Sequence, residues 1–198
     1  MGFREVHQGC NEGKTSVVFS LRNWGGRLRR RTRTSFVERE RRCRREAVHV
    51  VVALGLGHRV RSADVQGGGD RGGYVDIDYD VRKQVPQDRH FDDMTVNLGP
   101  YTDEVARETY DRASVNDIGS AVNHALSIIA LNLSPTGYAG SLTLDQLIAA
   151  ARDRARSIVD NHAAAIARIA ALLVLRQEIS AREIEQAWRD PQTDGPLR

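Results

Sequence analysis

The residues with the clearest chemical potential lie in one short stretch, Arg45-Glu46-Ala47-Val48-His49. In the pattern HExxH, two histidines four residues apart share one face of a helix and bind one zinc ion, while the glutamate acts as a general base on the metal-bound water. Here Glu46 has the base position and His49 has the position of the second histidine. The spacing makes Glu46 a candidate catalytic residue and His49 a candidate metal ligand, although Arg45 stands where the first histidine would be.

Hydrophobic patterning places this stretch on a helix that is followed by a small sheet. Residues 37–54 form one predicted helix, polar in its first half and apolar in its second, which Gly55 and Gly57 end. Polar and apolar residues then alternate over 59–65 and over 73–79. This alternation predicts two antiparallel strands, joined by a glycine-rich turn at 67–69.

The rest of the chain predicts helices. After Pro86, residues 91–98 form a helical segment, Pro100 interrupts it, and residues 102–110 resume the pattern. The predicted N-terminal caps of the later helices are Asn116, Thr143 with Gln146, and Ser180 with Glu183. The predicted apolar faces are Ile118, Val122, Ala125, Leu126 and Ile129 on one helix, and Ile166, Ile169, Ala170, Leu173 and Val174 on another. We expect an α+β fold that is mainly helical, with a small antiparallel sheet and a helical C-terminal half.

Charge divides the chain into an arm, a domain and a tail. Residues 1–45 carry 13 Lys and Arg against 4 Asp and Glu, so the basic surplus belongs to the N-terminal segment. We predict a basic, disordered extension over residues 1–36, a domain over 37–190 and a frayed tail over 191–198. The arginine-rich arm could bind nucleic acid or an acidic partner, or could be a solvated segment with no ligand.

Composition excludes several classes of protein. Only two cysteines are present, so a disulfide framework and a cysteine-based metal site are both excluded. No apolar run approaches the roughly 20 residues of a membrane-spanning helix, and the N-terminus lacks the apolar core of a signal peptide. The sequence therefore predicts a cytoplasmic protein without a transmembrane segment.

Five pieces of sequence, taken in order, resemble the peptidase domain of FtsH-type zinc metalloproteases and their small stand-alone relatives. They are EAVHVVVALGLGHRVRSADV, GGYVDI, VNLGPYTDEVAR, ASVNDIGSAVNHAL and ARSIVDNHAAAIARIAALLVLRQEISAREIEQAW. In that family an HEAGHA motif and an apolar run precede a glycine-containing strand, an AG-x-x-AE helix, a helix that supplies an aspartate ligand, and a C-terminal pair of helices. The resemblance covers roughly residues 38–190.

The resemblance implies roles for three residues and one zinc ion. His49 matches the second zinc histidine, Glu46 matches the catalytic base, and Asp117 matches the third zinc ligand. Two positions depart from the family pattern. Arg45 replaces the first histidine ligand, and Val48 replaces the glycine that lets a neighbouring backbone approach the motif helix.

Arg45 is chemically unsuited to a metal site. A guanidinium stays protonated at physiological pH, offers only hydrogen-bond donors and repels a dication. Two ligands, His49 and Asp117, are fewer than the three that catalytic zinc sites keep. We therefore expect zinc affinity to fall, and Arg45 to form an ion pair with Asp117 or Glu46 instead.

The other histidines give no clear replacement for the missing ligand. His58 follows the predicted helix, and His124 lies about two turns, roughly 10 Å, beyond Asp117. His7 and His90 stay open as ligands that a loop would have to bring to the site.

The sequence thus predicts a zinc metallopeptidase-family protein, which would hydrolyse peptide bonds with zinc-activated water and act on a peptide or protein substrate. Arg45 is expected to weaken or abolish that activity. The alternative is a non-catalytic binding module, which would use its basic arm for nucleic acid or protein, or its cleft for peptide that binds regardless of chelator.

Overall fold

The computed structural model describes residues 36–66, 73–79, 86–109 and 113–189. These residues belong to one unit of the chain, residues 34–198. The glycine-rich turn at 67–69, the tail at 191–198 and the arm, apart from Phe36, lie outside the described residues.

The described residues form six helices and three strands. In chain order they are α1 (Phe36–Gly55), β1 (Arg59–Asp64), β2 (Tyr74–Asp78), α2 (Pro86–Ala106), α3 (Ala113–Ala130), α4 (Leu144–Asn161), α5 (Ala163–Arg176), β3 (Glu178–Ser180) and α6 (Ala181–Arg189). The expected α+β class, mainly helical with a small antiparallel sheet, is confirmed.

The sheet has the strand order β2-β1-β3, and both pairings are antiparallel. Ala63 of β1 lies opposite Val75 of β2 on one side and Ile179 of β3 on the other. The predicted β1–β2 pair is confirmed, whereas β3 was not predicted because three residues are too few for a periodic signal. Since β2 pairs only with β1, one edge of β2 is left without a strand partner in the described sheet.

Helix α1 carries the predicted active-site stretch into the core. Its second half is buried from Glu46 to Ala53, and the buried valines pack with α5 and the sheet in one apolar cluster. A second cluster lies among α2, α3 and α4, around Met94, Ile128 and Leu147. The polar residues on the buried half of α1 are therefore held in place by the elements packed around that helix.

Helix α2 runs unbroken through Pro100, so the predicted interruption is wrong. Proline lacks the N–H that would bond to the carbonyl four residues earlier, which is that of Val96. In the structure that carbonyl is hydrogen-bonded to His49 Nδ1, at 3.2 Å. A side chain from α1 thus satisfies the group that Pro100 leaves unpaired, and the helix continues.

Helix α3 begins three residues before the predicted cap. Its first residue is Ala113, so Asn116 lies inside the first turn. The residues packed deepest on this helix are Ala121, Ala125 and Ile128, whereas Leu126 is 49% exposed. The buried face of α3 is therefore shifted relative to the predicted one, because the hydrophobic pattern does not show which apolar residues contact a neighbouring helix.

The C-terminal helices agree with the prediction, except for one cap. Thr143 precedes α4 but makes no side-chain cap bond, and Gln146 Oε1 instead accepts from the Ser141 N–H. Glu183 Oε2 accepts from the Ser180 N–H at 2.9 Å, as predicted. Among the described residues no single helix meets the length and apolarity needed to cross a membrane; α4 and α5 do so only as a pair bent by 79°.

Candidate functional site

The predicted site residues lie together in a cleft of about 650 Å³. Helix α1 supplies Arg45, Glu46 and His49, and α3 supplies Asp117. Strand β2 forms one wall and the first half of α3 forms another. The three candidate residues that the sequence singled out are thus neighbours in space, although 68 positions separate His49 from Asp117.

Arg45 forms a two-bond ion pair with Asp117. Its Nε donates to Asp117 Oδ2 at 2.9 Å, and its Nη2 donates to Asp117 Oδ1 at 3.2 Å. Its Nη1 also lies 3.4 Å from Glu46 Oε1. The ion pair expected from the sequence is therefore present, and both side chains in it are 11% exposed.

Asp117 is ionised at the centre of this group. Burial acts to raise its pKa, but the hydrogen bonds and positive charges of His49 and Arg45 outweigh burial and lower the pKa. His49 Nε2 lies 3.4 Å from the same Oδ2 atom that Arg45 Nε contacts. One carboxylate therefore balances two potential cations.

His49 is fixed by contacts at both ring nitrogens. The Val96 carbonyl can only accept, so Nδ1 carries a hydrogen and donates it, which leaves Nε2 facing Asp117. Burial acts to lower the pKa of His49, but the hydrogen bond and charge of Asp117 raise it on balance. A hydrogen bond from one ring nitrogen to a backbone carbonyl is also the usual arrangement of histidines that ligate metals through the other nitrogen.

Glu46 is the most enclosed acid of the site. It is 2% exposed, and its Oε1 is the one side-chain oxygen or nitrogen that is buried without a hydrogen bond among the described residues. Burial raises the pKa of this carboxyl in spite of the nearby charges of His49 and Arg45. The backbone of Gly73, just before β2, passes over it so closely that a Cβ there would overlap the Glu46 carboxyl group.

Gly99 explains how Val48 is accommodated. A Cβ on Gly99 would lie 3.2 Å from Val48 Cγ1 and 2.9 Å from Val52 Cγ2, closer than normal contact. The absence of a side chain at Gly99 therefore lets α2 approach α1 where two valines project from α1. The resembled family has glycine at the position of Val48. In this chain the glycine at the helix contact is Gly99, on the facing helix α2.

These residues do not fit a catalytic zinc ion. His49 and Asp117 are suitable ligands, but the Arg45 guanidinium already engages both oxygens of Asp117 and brings a positive charge to the position of the missing ligand. In the part of the chain that the structure describes, no group of three His, Cys, Asp or Glu side chains is arranged to hold a metal. The arrangement provides an ion network instead of a metal centre.

The other described histidines do not complete the site. His58 Nε2 is 3.0 Å from Asp92 Oδ2, and His90 and His124 contact one another at 3.0 Å. His7 lies outside the described residues. His90, the described histidine that the sequence left open as a replacement ligand, contacts His124 and does not line the cleft.

Several cleft residues were not found from the sequence. The cleft is otherwise lined mainly by amide, hydroxyl and apolar side chains: Tyr74, Val75, Ile77 and Tyr79 on one wall, Asn97 with Val96, and Val115, Asn116, Ser120 and Asn123 on α3. The role of the Val96 carbonyl could have been inferred from Pro100 four positions later. No local sequence pattern predicts the uncharged residues of the lining, because their positions depend on how β2, α2 and α3 pack together.

The comparisons with known proteins add no relative. No protein-family model matches the sequence, and no curated protein matches it significantly. The likeness to FtsH-type peptidase domains therefore rests on the order of the five sequence pieces.

Proposed function

We propose that this protein is a metallopeptidase-like protein of the FtsH type in which the Arg45 guanidinium takes the place of the zinc ion, and that its cleft binds an extended peptide without hydrolysing it. The zinc-dependent peptidase activity implied by the motif resemblance is then lost, and the peptide-binding cleft is what remains of it.

The contact between Arg45 and Asp117 carries this proposal. A planar guanidinium that donates two bonds to one carboxylate is a stable, directional arrangement. It uses the oxygens that a metal would need, while His49 keeps the backbone hydrogen bond that is typical of a metal-ligating histidine. Without a zinc ion in the cleft, the zinc-bound water that Glu46 would deprotonate and the polarisation of the peptide carbonyl are both lacking, so we expect no turnover.

The lining of the cleft supports a peptide as the occupant. Asn97, Asn116 and Asn123 offer both donors and acceptors, and such side chains suit the polar groups of a peptide backbone. Tyr74 and Val115 are exposed on different walls and offer apolar surface for peptide side chains. Besides Arg45, Glu46, His49 and Asp117, no ionisable side chain other than tyrosine lines the cleft among the described residues.

Strand β2 adds a means of orienting the peptide. Among the described strands it lies at the edge of the sheet, and four residues in or next to it, Tyr74, Val75, Ile77 and Tyr79, line the cleft. A strand edge without a partner can pair with the backbone of an extended peptide. Backbone pairing would give affinity with little dependence on the peptide sequence.

The proposal is tested by peptide binding with and without a chelator. We expect fluorescein-labelled β-casein, an unfolded protein used as the probe, to bind with the same affinity before and after treatment with EDTA, and to remain uncut. Fluorescence anisotropy measures the binding, and gel electrophoresis measures cleavage. Cleavage that EDTA abolishes would contradict the proposal, as would the absence of binding.

A matched pair of variants tests whether the peptide binds in the cleft. Ser120 lines the cleft, whereas Ser127 lies two turns later on α3 and does not. Both hydroxyls donate to the carbonyl four residues earlier, so the two serines are locally equivalent. We expect Ser120→Trp to weaken binding at least about tenfold, which is 1.4 kcal/mol, and Ser127→Trp to leave it unchanged.

Two further predictions of the sequence remain predictions. Nothing in the fold tests a cytoplasmic location, and the arginine-rich arm that would bind nucleic acid lies, apart from Phe36, outside the described residues. The salt dependence of nucleic-acid binding, with and without residues 1–36, is the measurement that separates an arm-based binding module from a cleft-based one.

A further inference from the structure

A pair of histidines lies on α2 and α3, outside the ion network of Arg45. His90 Nδ1 and His124 Nδ1 are 3.0 Å apart, and their rings are tilted by 48°. Asp93, one turn after His90 on α2, places its Oδ2 3.9 Å from His124 Nδ1. Two imidazole nitrogens and a carboxylate oxygen therefore approach one another across a helix–helix contact.

The distances are close to those of a metal site. Zinc–nitrogen bonds of about 2.0–2.1 Å in a tetrahedral site put two ligand atoms roughly 3.3 Å apart. The distance between the two Nδ1 atoms is 3.0 Å, and the distance from His124 Nδ1 to Asp93 Oδ2 is 3.9 Å, so the two lie on either side of this value. The three donors are not assembled as a finished ligand set in the described residues, so the Asp93 carboxylate must move closer to the two nitrogens to complete one.

The histidine pair is open to solvent on one side. A neutral imidazole that carries its hydrogen on Nε2 has a lone pair on Nδ1 for a metal, so the ring whose Nδ1 donates in the metal-free pair must move that hydrogen to Nε2 by exchange with solvent. Since the His124 side chain is 30% exposed, an ion and its remaining water ligands can reach it.

Neighbouring side chains hold Asp93 in place. Tyr79 forms a side-chain hydrogen bond with Asp93. Arg89 lies over the Tyr79 ring, 5.0 Å from its centroid, and its Nε is 3.9 Å from Asp93 Oδ2. Such outer contacts orient a ligating carboxylate, while the Arg89 charge moderates the affinity for a dication.

We propose that His90 and His124 bind one divalent transition-metal ion through their Nδ1 atoms, and that Asp93 closes on the ion as the third ligand. On binding, the hydrogen between the two Nδ1 atoms leaves to solvent and Nε2 of the same ring takes one up, so each Nδ1 donates its lone pair to the ion with no net release of a proton. This site is separate from the peptide cleft function and does not depend on it.

The test is a zinc titration of the full chain by calorimetry after treatment with a chelator. We expect the native protein to bind one zinc ion per chain and to gain thermal stability from it. His90→Gln and His124→Gln should each abolish binding, and Asp93→Asn should weaken it at least about tenfold, which is 1.4 kcal/mol. His162→Gln, which alters a histidine stacked on Trp188, should bind zinc as the native chain does.

Two results would overturn this site. One is a native protein that takes up no zinc, and the other is uptake that persists unchanged in both His90→Gln and His124→Gln. Circular dichroism of the two glutamine variants checks that each is folded, and the use of both variants protects the test against a structural effect of either one. The peptide-binding experiment is unaffected by all of these outcomes, so the two proposals fail independently.

Discussion

At the scale of single residues, Arg45 acts as a fixed cation that the chain itself supplies. Removing charges from water is costly, and good geometry and hydrogen bonds must offset that cost. Asp117 meets this condition, because both of its oxygens accept bonds from Arg45 and one of them also contacts His49. Removing the carboxylate charge would leave two buried groups without their counter-charge.

The substitution Asp117→Asn is therefore expected to lower the free energy of unfolding by about 3 kcal/mol. The low folded pKa of Asp117 means that its stabilisation is present above its ordinary pKa of 3.8 and is lost as pH falls through the folded pKa. The difference between native and variant proteins should thus be full at pH 7 and should shrink in acid. Urea denaturation at several pH values measures it.

Asp78→Asn is the matched control for that prediction. Asp78 pairs with Arg61 at 3.0 Å, but these side chains are 38% and 61% exposed. Solvent screens such a pair, so its loss should change stability by less than about 1 kcal/mol. Equal effects of the two substitutions would show that the Arg45–Asp117 pair contributes no more than a surface contact.

At the scale of elements, α1 and α2 are joined by two complementary features. Pro100 leaves the Val96 carbonyl without its helical donor, and His49 of α1 supplies one. Gly99 provides the space into which Val48 and Val52 project. The close approach of the two helices and the orientation of His49 therefore depend on one another.

The substitution Gly99→Ala should reveal this close approach. We expect a loss of about 1–2 kcal/mol, because the added methyl group overlaps two buried valines that have no free volume to move into. In Val52→Ala/Gly99→Ala the combined loss should be smaller than the sum of the single losses by about 1 kcal/mol. Thermal or urea denaturation of the four proteins gives the coupling.

Gly119→Ala serves as the control on α3, where a Cβ would meet no atom within 4 Å. Alanine has the higher helix propensity, so this variant should be about 1 kcal/mol more stable. A Gly99→Ala protein that is stabilised in the same way would contradict the close packing of α1 on α2.

The sequence predicted the elements whose signals are local and missed those that depend on distant partners. Residues 36–55 and the two longer strands follow from hydrophobic period and glycine positions, and the Arg45–Asp117 pair follows from the chemistry of a guanidinium. The continuity of α2 could not be predicted, because the donor that compensates Pro100 comes from His49, far earlier in the chain. The contact of His90 with His124 was likewise missed, since it depends on how α2 and α3 pack.

At the scale of the whole molecule, α1 is the element on which the candidate site depends. Its valines belong to the apolar cluster shared with α5 and the sheet, while Arg45, Glu46 and His49 on the same helix line the cleft. The part of the cleft that α1 forms is thereby fixed by packing and by an ion network. A site organised in this way is expected to keep its shape when a chelator is present.

Zinc content tests the central claim most directly, namely that Arg45 excludes a metal from the cleft. The measurement compares Arg45→His/His124→Gln with His124→Gln alone, so that zinc at the histidine pair does not contribute. Val48 can stay in both proteins, because Gly99 already accommodates it. After dialysis against zinc and then against metal-free buffer, elemental analysis gives the ion count per chain.

We predict one zinc ion per chain in Arg45→His/His124→Gln, where the new imidazole, His49 and Asp117 form a three-ligand site, and none in His124→Gln. Zinc retained by His124→Gln and lost on further substitution of Asp117 by Asn would contradict the claim, because the native site would then bind metal despite Arg45. Absence of zinc from both proteins would contradict the likeness to a metallopeptidase site.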